Sequence, residues 1–461
     1  MTAVAASRQS GRITEQATGV ATGLATWLLT AAIIVSFCAS SMALTAAGLK
    51  YDAADGAAWQ KLHPATYLAA LAMIVNTLGQ PHPLRYVHGL LVKFPGAAYF
   101  IAMWMSLTLY GVLVQQAPLT SLIEPYIVAL AALFMVDDLA PPSRDFLRKS
   151  LHVIVLANAL VGIFEFATQT RLFPYVISGE LVIGDSRSTA ILGHPLLNAS
   201  TTGAYALCLF LGGDPKVTPV WRVAFIALSL LGLIAFGGRT AIMATSLIIG
   251  AKFLWSFALF LLGARVELKR MVIAMLISPL LVIGAVGAAY AGMFDTLIAR
   301  FIDDNGSGKA RVIVLQLFDV FDFGDLLLGP RPDLLVSTLN SFGIEIGIEN
   351  NWLALMFNYG IWMAGFFIIG LFVLFWEYWR RSRSGASLLF AYFLIIISAM
   401  IGLASKTMIF VQFSILLLFI FAPDGAPGGR PGKENIKFPH PAFWPPPRRS
   451  ARILANHSRG L

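Results

Sequence analysis

WLALMFNYGIWMAGFFIIGLFVLFW, residues Trp352–Trp376, contains no charged side chain. About 20 apolar residues in a helix cross the roughly 30 Å of a bilayer's hydrocarbon, so this stretch reads as a membrane span. Working outward, eleven more stretches read the same way: Ala21–Leu49, Ala65–Gly79, Pro95–Val114, Pro118–Val136, Leu151–Ala167, Leu196–Gly212, Val220–Gly237, Thr240–Leu262, Met271–Met293, Ala386–Ala404 and Thr407–Ala422. The expected fold is therefore all-α, a polytopic integral membrane bundle of about twelve transmembrane helices. Composition agrees. The 461 residues are 57% hydrophobic and only 12% charged, with a mean hydropathy of +0.75. Soluble domains carry about twice that charge. An ordinary cytosolic enzyme, a disordered chain and a disulfide-stapled secreted domain are excluded. Cys38 and Cys208 lie in apolar runs and read as small core residues.

A net charge of +9 needs no nucleic-acid partner. Cytoplasmic loops collect Lys and Arg. With both termini inside, the inner segments hold 22 basic residues and the outer ones 10. That distribution predicts an inner-membrane protein with both ends in the cytoplasm. Residues 1–20 form the N-terminal segment, followed by an uncleaved first span. Residues 21–422 form the bundle. The tail, 423–461, is basic and Pro-rich and is expected to be disordered, with no core of its own. Asp137 and Asp138 read as part of a solvated loop.

Most connections are short. The outer loop of residues 294–351 is long and includes apolar runs such as Val312–Phe318, so it is expected to fold as short helices over the bundle. Polar motifs gather on that same outer side. Glu165 lies in Phe164-Glu165-Phe166 at a span end. Arg187 precedes Gly193-His194-Pro195, and Arg239 follows Gly237-Gly238. Arg300 and Arg311 open the long loop, and Glu349-Asn350-Asn351 closes it. Arginines on the side that the positive-inside rule depletes ask for a reason. A guanidinium is always charged, and its planar fork matches phosphate oxygens.

In this order the motifs resemble the O-antigen ligase and O-antigen polymerase (Wzy-type) superfamily, and within it the VpsF-type exopolysaccharide polymerases. The resemblance spans roughly Leu151–Phe375. It departs from the ligases in two places. Their His-Asn pair is Glu349-Asn350 here, and the glycine-x-glycine turn of the long loop is Gly329-Pro330-Arg331. The missing histidine fits a polymerase better.

The resemblance implies glycosyl transfer from a polyprenyl-pyrophosphate-linked glycan to the hydroxyl of a second lipid-linked glycan, on the outer face of a bacterial inner membrane. Negative charge then builds on the departing pyrophosphate and must meet a cation. Arg187, Arg239 and Arg311 are the expected grips. Glu349 is the expected base, and it reads equally as the cap of the following helix. His194, Arg300, Asn350 and Glu165 are expected to touch substrate. No Asp-x-Asp stands on the outer face, and Asp303-Asp304-Asn305-Gly306 lacks the rest of a calcium loop, so neither metal nor cofactor is expected. Besides membrane lipid, the implied partners are a flippase and a chain-length regulator. Two alternatives stay open. One is a ligase transferring glycan to lipid A–core. The other is a transporter or flippase of lipid-linked sugars, although no half-to-half similarity is visible.

Overall fold

The computed structural model describes residues 2–53, 55–177, 180–182, 187–263, 307–344, 347–400, 402–403 and 405–423, with isolated positions at 283, 286, 287, 289, 290 and 292. The described chain is helical apart from one two-residue hairpin, β1 (Val176–Ile177) with β2 (Glu180–Leu181). Six helices are long and apolar enough to cross a membrane by length and composition. They are α1 (Thr2–Cys38, its apolar part from Gly19), α5 (Pro95–Leu113), α7 (Pro141–Thr168), α9 (Pro219–Phe236), α10 (Arg239–Leu261) and α14 (Asn351–Arg380). The chain is thus a multi-pass helical membrane protein. Four shorter apolar helices join them, namely α3 (Pro64–Leu78), α6 (Leu119–Met135), α15 (Ala386–Ser398) and α16 (Ile409–Phe419). The short α2 (Ser41–Ala46), α4 (Pro83–Lys93) and α8 (Pro195–Phe210) complete the main body. The expected span Met271–Met293 and the tail from 424 lie outside the described residues.

Two of the shorter helices sit where other helices enclose them. Every residue of α16 is buried, and α8 is buried almost throughout. The run Ala199–Ala204 on α8 is made of small residues, which let neighbouring backbones approach closely in an apolar medium. An aromatic core of Phe100, Trp104, Tyr126, Phe367 and Phe410 ties α5, α6, α14 and α16 together, with ring centroids 5.4–6.3 Å apart. Helices α5 and α10 turn Met105, Leu109, Phe253, Leu254 and Trp255 outward, as lipid-facing surfaces do.

Two boundaries differ from the sequence reading. The first span does not run to Leu49. Helix α1 stops at Cys38, and Ser40 starts α2 by accepting the Ala43 N–H through its hydroxyl at 3.1 Å. The span quoted first is not one straight helix either, because Gly360 breaks α14 with φ 77° and ψ 155°. The segment after the break, Ile361–Arg380, has the length of one bilayer crossing, about 30 Å. One face of the segment before it belongs to a second, smaller core, while Leu355 and Tyr359 face the main one. In the smaller core Ala354 and Phe357 pack with Val314, Leu317, Phe321, Leu335, Ile344 and Ile348. These residues come from α11 (Ser307–Val320), α13 (Pro332–Ser341) and the strand of chain leading into α14. The long loop is thus partly helical, as expected.

The end of α12 (Phe323–Leu328) is pressed into the Gly360 break. A Cβ on Gly360 would overlap the Leu328 carbonyl carbon and lie 2.5 Å from the Gly329 nitrogen. From α5 the Tyr110 hydroxyl donates to the Leu328 carbonyl, and just past its end Gln115 Nε2 donates to the carbonyls of Leu328 at 3.0 Å and Gly329 at 3.2 Å. Gly360→Ala is therefore expected to destabilise the protein by about 2–3 kcal/mol through positive-φ strain and overlap. A thermal-unfolding series in detergent that includes Gly365→Ala, where a Cβ meets nothing within 4 Å, checks this. The Gly365 variant should hold the wild-type midpoint.

Candidate functional site

The loop entering α8 is built around two side chains of α7. Glu165 is 3% exposed. Its Oε1 accepts the Leu172 N–H at 2.7 Å, and its Oε2 accepts the Thr189 and Ala190 N–H groups at 2.8 Å each. Two turns earlier, Asn158 Oδ1 accepts the Ile191 and Leu192 N–H groups at 3.0 and 3.3 Å. The Ser188 hydroxyl donates to the Gly162 carbonyl at 2.7 Å. Glu165 was expected to touch substrate. Its observed partners are backbone amides, and its carboxylate anchors the chain at Leu172, Thr189 and Ala190.

The arginine-bearing segments meet there. The Ser188 N–H donates to the Ala235 carbonyl at 3.3 Å, which sets Arg187 against the end of α9. Gly237 closes α9 in the left-handed conformation, and Gly238 lies so close to Ala199 of α8 that a Cβ would overlap it. Arg239 follows at once as the first residue of α10. Arg171 Nη2 donates to the Arg187 carbonyl at 3.3 Å, with its guanidinium 5.5 Å from the Tyr175 ring centroid. His194 caps α8, its Nδ1 accepting the Leu196 N–H at 3.2 Å. Its Nε2 lies 3.3 Å from the Tyr175 hydroxyl. Arg171, Arg187, His194 and Arg239 thus lie on segments surrounding the N-terminal end of α8. Arg171 was not singled out in the sequence.

Asn350 Oδ1 accepts the Trp352 and Leu353 N–H groups at 3.0 and 3.1 Å, so this side chain is the N-cap of α14. Glu349 stands just before it, half-buried. The neighbouring Asn351 ties α14 to the α15–α16 turn, its Oδ1 accepting the Leu403 N–H at 2.7 Å. Arg311 lies on α11, with its side chain outside the described residues. Arg300, Asp303 and Asp304 are also outside them.

No family model, curated protein or solved structure matches the chain. The site therefore has to be read from its own geometry.

That geometry includes a cluster the sequence reading passed over. Glu124, on α6, is 0% exposed. Its Oε1 accepts from the Tyr51 hydroxyl, and its Oε2 accepts the His63 N–H at 3.0 Å. Lys406 Nζ donates to the Tyr51 carbonyl at 2.6 Å, sits 3.7 Å from the Tyr51 ring centroid and stands 3.9 Å from Asp52 Oδ1. The imidazole of His63 bridges to the Ala39 carbonyl, 2.5 Å from Nε2, while Nδ1 accepts the Ala65 N–H. Burial pushes His63 down to about 4, with the Ala39 carbonyl pulling the other way, so the ring is neutral and carries its proton on Nε2. This cluster adjoins the loop described above. The Val176 N–H meets Met42 Sδ at 3.3 Å, and Gly193 packs on Ser40. The signal was present, because an ionisable residue inside an apolar span marks function by default.

At the opposite end the charges hold the bundle together. Asp137 is not a solvated residue. Its Oδ2 pairs with Lys93 Nζ and Arg381 Nη1, both at 3.1 Å, and Asp138 accepts from the Tyr86 hydroxyl at 3.0 Å. Asp214 Oδ2 meets His152 Nε2 at 2.8 Å and Arg148 Nε at 3.1 Å. Burial raises Asp214, yet His152, the Lys216 amide and Arg148 outweigh it and hold the carboxyl below its ordinary range. Among the described residues no group of three or more His, Cys, Asp or Glu side chains gathers as metal ligands.

Proposed function

We propose that the chain is a membrane glycosyltransferase that polymerises polyprenyl-pyrophosphate-linked oligosaccharide repeat units on the outer face of a bacterial inner membrane. One observation carries this reading. Arg187, Arg239 and His194, with Arg171 beside them, stand on segments converging at one end of the bundle, around the N-terminus of α8. Guanidinium forks and a helix N-terminus both favour a diphosphate. In the proposed roles Arg187 and Arg239 take up the charge that grows on the leaving pyrophosphate. Glu165 and Asn158 hold the loop that carries Arg187.

A buried Glu124 facing Lys406 favours a second reading, a transporter of lipid-linked sugars coupled to protons. Detergent micelles separate the two, because they have no compartments to transport between. Purified protein supplied with one lipid-linked repeat unit in micelles is expected to yield a ladder of longer glycans. Ladder formation without added lipid A–core also separates a polymerase from a ligase. No elongation in micelles, with movement across vesicles, would replace this reading by the second.

A further inference from the structure

We propose that Glu124 is a proton-binding site of the bundle, loaded and emptied through the hydroxyl of Tyr51 from the side where Asp52 and Lys406 meet solvent. Taking a carboxylate out of water costs several kcal/mol. Glu124 sits at 0% exposure within an apolar helix, yet the chain brings it partners from three distant places. Tyr51 comes from the loop after α2, the His63 amide from the start of α3, and Lys406, whose Nζ donates to the Tyr51 carbonyl, from the turn between α15 and α16. Burial disfavours the charged form, while the two hydrogen bonds and the ammonium favour it. A buried carboxyl whose charge burial opposes and its partners favour is one that can change its protonation state.

The surroundings make the route specific. Of the helices packed against α6, α5 and α16 hold no charged residue, and α1 holds none between Gly19 and Cys38. The titratable groups facing Glu124 are therefore Tyr51, Asp52, His63 and Lys406, with Lys61 and Tyr67 farther out. His63 is excluded as the carrier, because burial holds it neutral down to about 4 and both ring nitrogens have backbone partners. Tyr51 is buried, and its hydroxyl touches Glu124 directly. Lys406 and Asp52 are the groups that reach the surface, with side chains 19% and 38% exposed.

In the transfer, the Tyr51 O–H bond breaks as an O–H bond forms on Glu124 Oε1. The Tyr51 oxygen regains a proton from water at the Asp52–Lys406 mouth. Each electron pair stays on its oxygen, and nothing is oxidised. Resting on the function proposed above, that water takes its replacement proton from the acceptor hydroxyl. That hydroxyl loses it as its oxygen bonds to the anomeric carbon, while the pyrophosphate departs with the electron pair of the old glycosyl bond.

The test is infrared difference spectroscopy of the purified full chain across pH, for wild type, Glu124→Gln and Tyr51→Phe, beside the micelle turnover assay. Wild type should show a protonated-carboxyl stretch that appears on acidification, shifts in heavy water and is missing in Glu124→Gln. Tyr51→Phe keeps the ring beneath Lys406 and should move the midpoint of that band. Identical titrating bands in wild type and Glu124→Gln overturn the site. So does an unmoved midpoint in Tyr51→Phe, a readout that stands even if Glu124→Gln does not fold. In turnover, Glu124→Gln should fall about 100-fold, within the range of a lost general base, and lose the decline toward low pH that wild type shows. Wild-type turnover and pH profile in Glu124→Gln would sever the site from the reaction. A titrating Glu124 band in a wild-type protein that elongates nothing would leave the proton site standing and defeat the glycosyltransferase reading.

Discussion

Arg239→Ala is expected to lower glycan elongation by about 10²–10³-fold, the usual cost of one electrostatic stabiliser of a developing anion, with the protein still inserted and folded. The reason lies in where the residue stands. Arg239 is the first residue of α10, whose first turn holds no acidic residue. A cation there opposes the helix dipole, which favours negative charge at an N-terminus. Its charge therefore does not serve the helix. In the proposed function it meets the pyrophosphate between Gly238, the Arg187 segment and the start of α8. Arg239→Lys is expected to recover little, because an ammonium keeps the charge and loses the fork. Arg187→Ala should behave like Arg239→Ala. Elongation rates of the three variants, with detergent size-exclusion profiles as the folding control, check this. Wild-type rates in both alanine variants would remove the pyrophosphate assignment.

Glu165→Ala is expected to abolish elongation for a different reason. Removing the carboxylate leaves the buried amides of Thr189 and Ala190, and the part-buried amide of Leu172, without their acceptor. At about 1–3 kcal/mol for each buried donor left unmatched, the loss is at least ~2 kcal/mol, enough to release the loop that carries Arg187 and leads to His194. Glu165→Gln should be intermediate, since its amide nitrogen faces donors where an oxygen stood. Hydrogen exchange on peptides covering residues 170–195 reads this directly. Faster exchange in that segment, with α5 and α14 unchanged, is expected. Wild-type protection in Glu165→Ala would show that the loop does not depend on the carboxylate.

Much of the architecture was legible because burial in lipid leaves a plain signature. Runs such as Trp352–Trp376 and Thr407–Ala422 must be apolar to be where they are. The interruptions were not legible. Glycine is common within apolar spans, so nothing in the sequence marked Gly360 as the place where Leu328 and Gly329 press into α14. At the other end of the chain, Ser40 was hidden inside an apolar stretch that reads as continuous to Leu49. The arginines at the α8 end were singled out because the expected topology puts them on the side that the positive-inside rule depletes. The role of Glu165 was not found, because its partners are backbone amides, which every residue has. Glu124 carried a visible signal, a carboxylate in a span. Its meaning depends on Tyr51, His63 and Lys406, which are remote in sequence and become neighbours only through packing.

The chemical core of the account is that a glycosyl bond to a lipid diphosphate breaks each time a new glycosidic bond forms. Counting both products in one tube tests it most directly, with phosphorus resonance for the released polyprenyl pyrophosphate and mass analysis for the glycan. The account predicts one diphosphate lipid released per bond formed, at a rate that falls with Arg239→Ala. Lipid-linked glycan that stays intact in the presence of active, folded protein would contradict it.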